Sequence, residues 1–373
     1  MSKTKIPHKV QCEVWGKSAG RCEFNGCNKQ LYVHDITSDR CNIAELAHII
    51  GDSANGPRGD KDRSARLAQD PNNIMLMCHD CHRYIDKEGL DKFPDEVLYA
   101  MKKKHEERIE RLTAMKEDMQ ANVITYGSII GSQFPDLSYP QIQEALLPHY
   151  YPANNRCIDL GGNWPIAQEW DEYWKREVEN LKYNCKDKIF DKIDKWESKR
   201  IALFGLAPMP LLVKLGTILN NKHEVEVYQK QRSGGWKWSQ EEIHTDYIIN
   251  RPEDTLKKPV LVLSLSFPIT ERIKKANPTA SVWEMTIESP NPDFLRSKQQ
   301  LYDFGRKVEL VLDEITKVSN NQPINLYLSV PVACAVEFGR VWMQKANSPL
   351  KIYDLDKHVD NIDKLAITIE YKK

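Results

Sequence analysis

The sequence predicts two domains of different class: a small α+β module stapled by metal, then a larger α/β domain. Three observations predict it. Four cysteines stand in two pairs, Cys22 with Cys27 and Cys78 with Cys81, across a loop-rich N-terminal stretch. Strand-like and helix-like runs alternate through the last two thirds of the chain. The length of 373 residues also exceeds the roughly 250–300 at which a single core stops growing.

Composition sets the outer limits. Hydrophobic residues at 41% and charged residues at 28% describe an ordinary globular chain. No apolar run approaches the length of about 20 residues that spans a bilayer, so no membrane association is expected. The start, Met1 to Pro7, lacks the apolar stretch of a signal peptide, which predicts a cytoplasmic location. Nine cysteines in a reducing compartment favour metal binding or free thiols over disulfides. Cys12, Cys41, Cys157, Cys185 and Cys334 have no paired spacing and read as core or surface thiols. Net charge is zero, whereas DNA-binding chains usually carry a basic surplus. DNA engagement would therefore need charge segregated on one face, or assembly.

The elements follow in order. After the cysteine module, Pro94 suits the first turn of a helix. Val97, Leu98, Met101, His105, Ile109, Leu112 and Met115 then recur at helical spacing, with Lys102, Lys103 and Lys104 on the other side. This predicts a connector helix to about residue 118, and domains over 1–118 and 119–373. Val123–Tyr126 and Ser128–Ile130 read as a strand interrupted at Gly127, Tyr139–Leu147 as a helix closed by Pro148, and Trp170–Ile193 as a helix. Strands are expected at Ile201–Leu206, Val225–Tyr228, Val260–Phe267, Ser281–Ile287, Ile324–Ser329 and Leu365–Tyr371. Helices are expected at Pro210–Leu219, Pro292–Val318 and Val332–Gln344. No internal repeat is evident, and Trp283 and Tyr302 find no role.

Four thiolates at this spacing suit a closed tetrahedral zinc site, which folds segments too small to build their own core. Between and after the pairs stand Glu45-Leu46-Ala47-His48-Ile49, Asn72-Asn73-Ile74 and Cys81-His82. Phosphodiester hydrolysis needs a base with a pKa near neutral, and a divalent cation to meet the charge on the phosphoryl group. The combination resembles the HNH nucleases, whose ββα-metal fold supplies these parts. The resemblance implies His48 as general base, Asn73 as the residue that holds it, and His82 as a ligand of the catalytic cation, commonly Mg²⁺. The commoner motif has Asp just before the base; here that position is Ala47. Residues two apart on a strand share a face, so Glu45 is expected as a substitute metal ligand, the alternative being a plain exposed glutamate. His79 is a further candidate ligand, and Asp86, four residues after His82, a carboxylate to orient it. Arg58, in Asn55-Gly56-Pro57-Arg58-Gly59-Asp60, either touches phosphate or belongs to a turn.

The remainder resembles the SAVED sensor domain, two Rossmann-like, CARF-related halves that bind cyclic oligonucleotides. The carrying segments are Ile201–Pro210, Tyr228–Gln231 leading to Trp236-Lys237-Trp238, Leu261–Ser266 and Pro331–Arg340. HNH joined to SAVED is the plan of effector endonucleases of bacterial CBASS anti-phage defence. That implies a cyclic dinucleotide or oligonucleotide activator made by a cyclase, a homo-oligomer (a dimer, higher on activation) and a double-stranded DNA substrate. Trp236 or Trp238 would stack a base, Ser264 and Ser266 sit at a strand end where α/β ligands bind, Pro331–Ala333 opens a helix whose N-terminus favours an anion, and Arg340 would pair with phosphate. Two other readings remain. The C-terminal domain could read DNA sequence or modification, as in a restriction-type HNH enzyme. Or the zinc ribbon could be a non-catalytic binding platform.

Overall fold

The computed structural model describes residues 4–128, 135–161, 169–232, 234–356 and 362–370. The chain divides into two compact units, Met1–Lys116 and Glu117–Lys373. No helix among the described residues is long and apolar enough to cross a membrane.

The N-terminal unit runs α1 (His8–Lys17), β1 (Ala44–His48), α2 (Ser64–Leu67), β2 (Ile74–Cys78), α3 (His79–Lys92) and α4 (Asp95–Thr113). Strands β1 and β2 pair antiparallel, with His48 opposite Ile74 and Glu45 opposite Met77. Cys78 caps α3, so strand passes into helix without a loop. The core is modest: Val14, Leu31, Ala47, Ile49, Ile74 to Met77, Ile85, Phe93 and Leu98. Helix α4 departs from the predicted stripe. Pro94 is its cap, Val97 and Leu112 are exposed, and Lys102 is buried. Lys102 is taken inward because its ammonium meets Glu106 at 2.6 Å and Glu23 at 3.9 Å, both needed to offset its desolvation. The helix ends at Thr113, leaving Met115 outside it.

The C-terminal unit holds two sheets. The first half comprises β3 (Gln120–Gly127), α5 (Tyr139–Leu146), β4 (Tyr151–Pro152), β5 (Ile158–Asp159), α6 (Trp170–Cys185), β6 (Ile201–Leu206), α7 (Met209–Leu219) and β7 (Val225–Tyr228). The second comprises β8 (Ile248–Asn250), β9 (Lys258–Ser264), α8 (Thr270–Ala276), β10 (Ala280–Thr286), α9 (Lys298–Val318), β11 (Ile324–Ser329), α10 (Val332–Val341), β12 (Leu350–Asp356) and β13 (Ile362–Ile369). One sheet has order β4-β3-β6-β7 with β5 also on β3, and its pairs are parallel. The other has order β13-β12-β11-β9-β10-β8, parallel except at its two edges.

A repeat invisible as sequence similarity emerges here. β6-α7 and β11-α10 are equivalent strand-helix units, and Ile201, Pro208, Val213 and Gly216 match Ile324, Pro331, Val336 and Gly339 in sequence spacing. The two helices cross through those glycines. A Cβ on Gly216 would stand 2.1 Å from the Val336 carbonyl oxygen, and one on Gly339 2.0 Å from that of Val213. Only glycine permits the approach.

Several expected elements change. The helix expected over Trp170–Ile193 stops at Cys185, followed by a π turn over Lys186–Phe190 and a 3₁₀ turn over Ile193–Lys195. Leu181, Cys185, Ile189 and Ile193 are all buried at a spacing of four, which drifts about 40° per step on an α-helix. The wider turn brings them back to the core. Pro292–Ser297 is not helical; α9 starts after the Ser297 capping box. α10 ends at Val341, short of Gln344. α1, α8, β8 and β12 are elements beyond those expected from the sequence. Trp283 is wholly buried on β10, and Tyr302 is exposed on α9. Ile129, Ile130 and Tyr371, expected in strands, lie outside the described residues.

Candidate functional site

The sulfurs of Cys22, Cys27, Cys78 and Cys81 all lie within 4.8 Å of one another, with Cys27 and Cys78 at 4.0 Å. A tetrahedron of zinc–sulfur bonds near 2.3 Å has edges of about 3.8 Å, so the cluster fits that ion. Burial pushes the Cys22 thiol up to about 12, and four sulfurs this close become thiolates together only around a cation. The first pair is tied to β2 by Glu23. Its backbone N–H donates to the Leu76 carbonyl at 2.9 Å, and its carboxylate accepts from the Leu76 N–H at 2.6 Å. Burial pushes the Glu23 carboxyl up to about 7 against the pull of Lys102.

His48 closes β1 and is buried, with Nε2 2.9 Å from the Ala68 carbonyl oxygen. A carbonyl only accepts, so this bond places the proton on Nε2 and leaves the Nδ1 lone pair for a proton. Asn73 does not reach toward a substrate. It is fully buried, donates from Nδ2 to the carbonyls of Ile50 at 2.9 Å and Leu67 at 3.2 Å, and accepts at Oδ1 from the Ile50 N–H at 2.9 Å. It thus clamps the backbone just past His48 to the segment ending at Ala68.

Glu45 is not a solitary strand carboxylate. It bridges two histidines: Oε1 meets His79 Nδ1 at 2.6 Å and Oε2 meets His82 Nδ1 in a close contact. Partial burial raises the Glu45 carboxyl, but the two histidine contacts outweigh it and leave the pKa below its ordinary value. On the far side of the ring, His82 Nε2 lies 3.5 Å from Asp86, which grips Arg58 Nη2 at 2.6 Å. The Arg58 guanidinium is sequestered, its Nε and Nη1 buried without partners, so it faces Asp86 rather than solvent. Glu45, His79 and His82 thus meet at the strand–helix junction; among the described residues only the four cysteines bring three or more ligand atoms within 4.8 Å of one another.

The C-terminal candidates separate from one another. Trp236 has no exposed surface and packs edge-on to Phe204 at 5.3 Å; it is a core residue, closed to a base. Trp238 is nearly buried and lines a cavity of about 330 Å³ with His149, Lys237, Ser239 and Lys298. Ser264 is fully buried, its Oγ 2.8 Å from Thr270 Oγ1 and accepting from the Ile269 N–H. Ser266 is buried and bonds through its backbone to the Ser329 carbonyl at 2.7 Å. Arg340 pairs with Glu337 at 2.8 Å and reaches the Asn220 carbonyl. At the α10 N-terminus the Ala333 N–H is taken by Gln229 Oε1 at 3.1 Å. The Trp236 ring, the Ser264 hydroxyl, Arg340 and the Ala333 N–H are thus engaged within the fold. Buried and exposed serine or tryptophan look alike in a sequence, while Gln229 answers a backbone N–H and Ala68 acts through its own carbonyl, partners that leave no motif.

Comparison with known proteins now identifies the class of the second unit. Residues 182–361 match the family model described as "SAVED: SMODS-associated and fused to various effectors sensor domain". The C-terminal unit therefore carries a SAVED sensor domain. No curated protein matches the chain. Among solved structures, the Cap4 SAVED/CARF-domain receptor of Acinetobacter baumannii, with the cyclic trinucleotide 2'3'3'-cAAA, is similar at 12% identity and a TM-score of 0.43, covering 83% of this chain and 66% of its own. The Cap4 receptor of Moraxella osloensis is similar at 11% identity and a TM-score of 0.39, over 73% of this chain and 54% of its own. The chain thus spans two thirds or less of these receptors. Likeness at that distance carries no weight beyond the family match.

Proposed function

We propose that the chain is a metal-dependent DNA endonuclease of HNH type, held idle until a cyclic oligonucleotide binds its SAVED domain, and that it acts as a CBASS anti-phage effector. The supporting observation is the joint geometry on one ββα unit: His48 with Nε2 committed to Ala68, and Glu45 joined to His79 and His82. In this reading the four cysteines would hold zinc, and Glu45 and His82, with His79 beside them, would hold Mg²⁺ or a similar cation. When bound, that cation would supply Lewis-acid stabilisation of the charge on the phosphoryl group. His48 Nδ1 takes the proton of the attacking water as one P–O bond forms and another breaks. Asn73 keeps the His48 backbone in register, and Asp86 orients His82. The SAVED match supports the sensor role. Messenger binding drives assembly into higher oligomers, which offsets the balanced charge by presenting several nuclease units to one duplex.

Plasmid digestion tests this, with a panel of cyclic di- and trinucleotides, with and without Mg²⁺, followed by light scattering. The expected result is cleavage only with Mg²⁺ and one class of messenger, and a rise in mass on activation. His48→Ala should lower the rate by about 10²–10⁴-fold, the usual weight of a general base, with zinc content unchanged. Cleavage of particular DNA without messenger would favour the DNA-reading alternative. No cleavage under any condition would sink the enzyme reading.

A further inference from the structure

The His48 acceptor, Ala68, ends a segment that cannot hold itself in place. α2 has four residues, a single turn, and one turn is marginal without outside support. Its side chains contribute little: Ala65 and Arg66 are exposed, and only Ser64 and Ala68 of Ser64–Ala68 are buried. Polar tethers do the holding, and two of them start on α4, the last helix of the N-terminal unit. Asp95 Oδ2 takes a 2.6 Å bond from Nη1 of Arg63, the residue before α2. Four residues on, one helical turn along the same face, the Tyr99 hydroxyl donates to Asn73 Oδ1 at 3.0 Å. Asn73 in turn donates to the Leu67 carbonyl, the residue before Ala68. One helix face thus grips both ends of the segment that sets the His48 proton.

We propose that Asp95 and Tyr99 are positioning residues for the nuclease reaction: from α4 they hold the Ala68 carbonyl where it fixes the His48 tautomer. Without them the Ser64–Ala68 segment moves, Nε2–H loses its acceptor, and the proton redistributes between the ring nitrogens. Nδ1 is then protonated part of the time and cannot accept. The proposal rests on the nuclease reading only for its consequence in catalysis; the tautomer is measurable by itself.

The test uses full-length chain with ¹⁵N-labelled histidine, the His48 signals being assigned by their loss in His48→Gln. Wild type should show one tautomer, with the proton on Nε2. Asp95→Asn combined with Tyr99→Phe should give a mixture, while amide exchange at Ile74–Met77 stays slow. If the double variant loses that protection, Tyr99→Phe alone is the arbiter, since it spares the Asn73 bonds to Ile50. Messenger-activated cleavage should fall about tenfold in kcat with KM for DNA unchanged, a fraction of what removing the base would cost, and Asp95→Glu should restore much of it. A single unchanged tautomer in a folded variant overturns the proposal. A wild type that never cuts, yet whose variants shift the tautomer, overturns the nuclease reading and leaves the positioning intact.

Discussion

The two units solve the problem of precision in opposite ways. In the N-terminal unit a small apolar cluster, from Ile6 to Leu98, stands beside four gathered sulfurs, and the candidate site is held by single polar bonds such as His48 to Ala68. In the C-terminal unit one cluster runs from Ala121 to Ile369, and its two halves interlock where Gly216 and Gly339 meet backbone. A unit with little to bury fixes its geometry with ligands and hydrogen bonds, each individually decisive. A unit with much to bury spreads the cost, and tolerates polar groups only where they are satisfied.

Substitutions can break or sharpen that contrast. The largest effect is expected from Cys78→Ser. On the zinc reading, the ion supplies roughly 10–16 kcal/mol in domains of this kind, so the N-terminal unit should unfold alone. Hydrogen exchange would show Ile74–Met77 exposed and Ile201–Leu206 still protected; protection at both would remove the distinction. Next comes Trp236→Ala, which empties a fully buried indole site and should cost the C-terminal unit about 3–5 kcal/mol. A urea transition identical to wild type would return Trp236 to the ligand-binding candidates. Gly216→Ala or Gly339→Ala should cost about 3 kcal/mol, the upper end of overpacking, because the clashing partner is backbone and cannot rotate away. Unaltered melting in both variants would mean the helix crossing has room for a methyl group.

The smallest effect is electrostatic. Glu23, ordinarily 4.5, is raised to about 7 by burial. Its contribution to stability is fully present below pH 4.5 and lost as pH rises through about 7, because the folded state favours the protonated acid. Glu23→Gln removes that loss, so the N-terminal unit of the variant should weaken less between pH 5 and pH 8. Urea midpoints at the two pH values measure it, and equal drops in both proteins would contradict the assignment.

Much of the N-terminal unit was legible because its chemistry is local. Cysteine pairs announce themselves by spacing. Where the reading went astray, burial was the missing fact. Lys102 looked like a solvated lysine, yet lies inside against Glu106. Arg58, expected either on phosphate or in a turn, is locked behind Asp86. The Ser264 hydroxyl and the Arg340 guanidinium, expected as ligand contacts, are bonded within the fold, and the Trp236 ring is packed in the core.

By itself the sequence determined the class of each unit, the order of most strands and helices, and the residue types able to bind metal and move a proton. These follow from periodicity and from side-chain chemistry, which every residue carries with it. Only the tertiary structure decided that Glu45 joins two imidazoles, that a backbone carbonyl selects the His48 tautomer, and that Gln229 fills the end of α10. Those are relations between groups distant along the chain, several of them through backbone atoms identical at every position. No local pattern can encode them; the fold brings them within bonding distance.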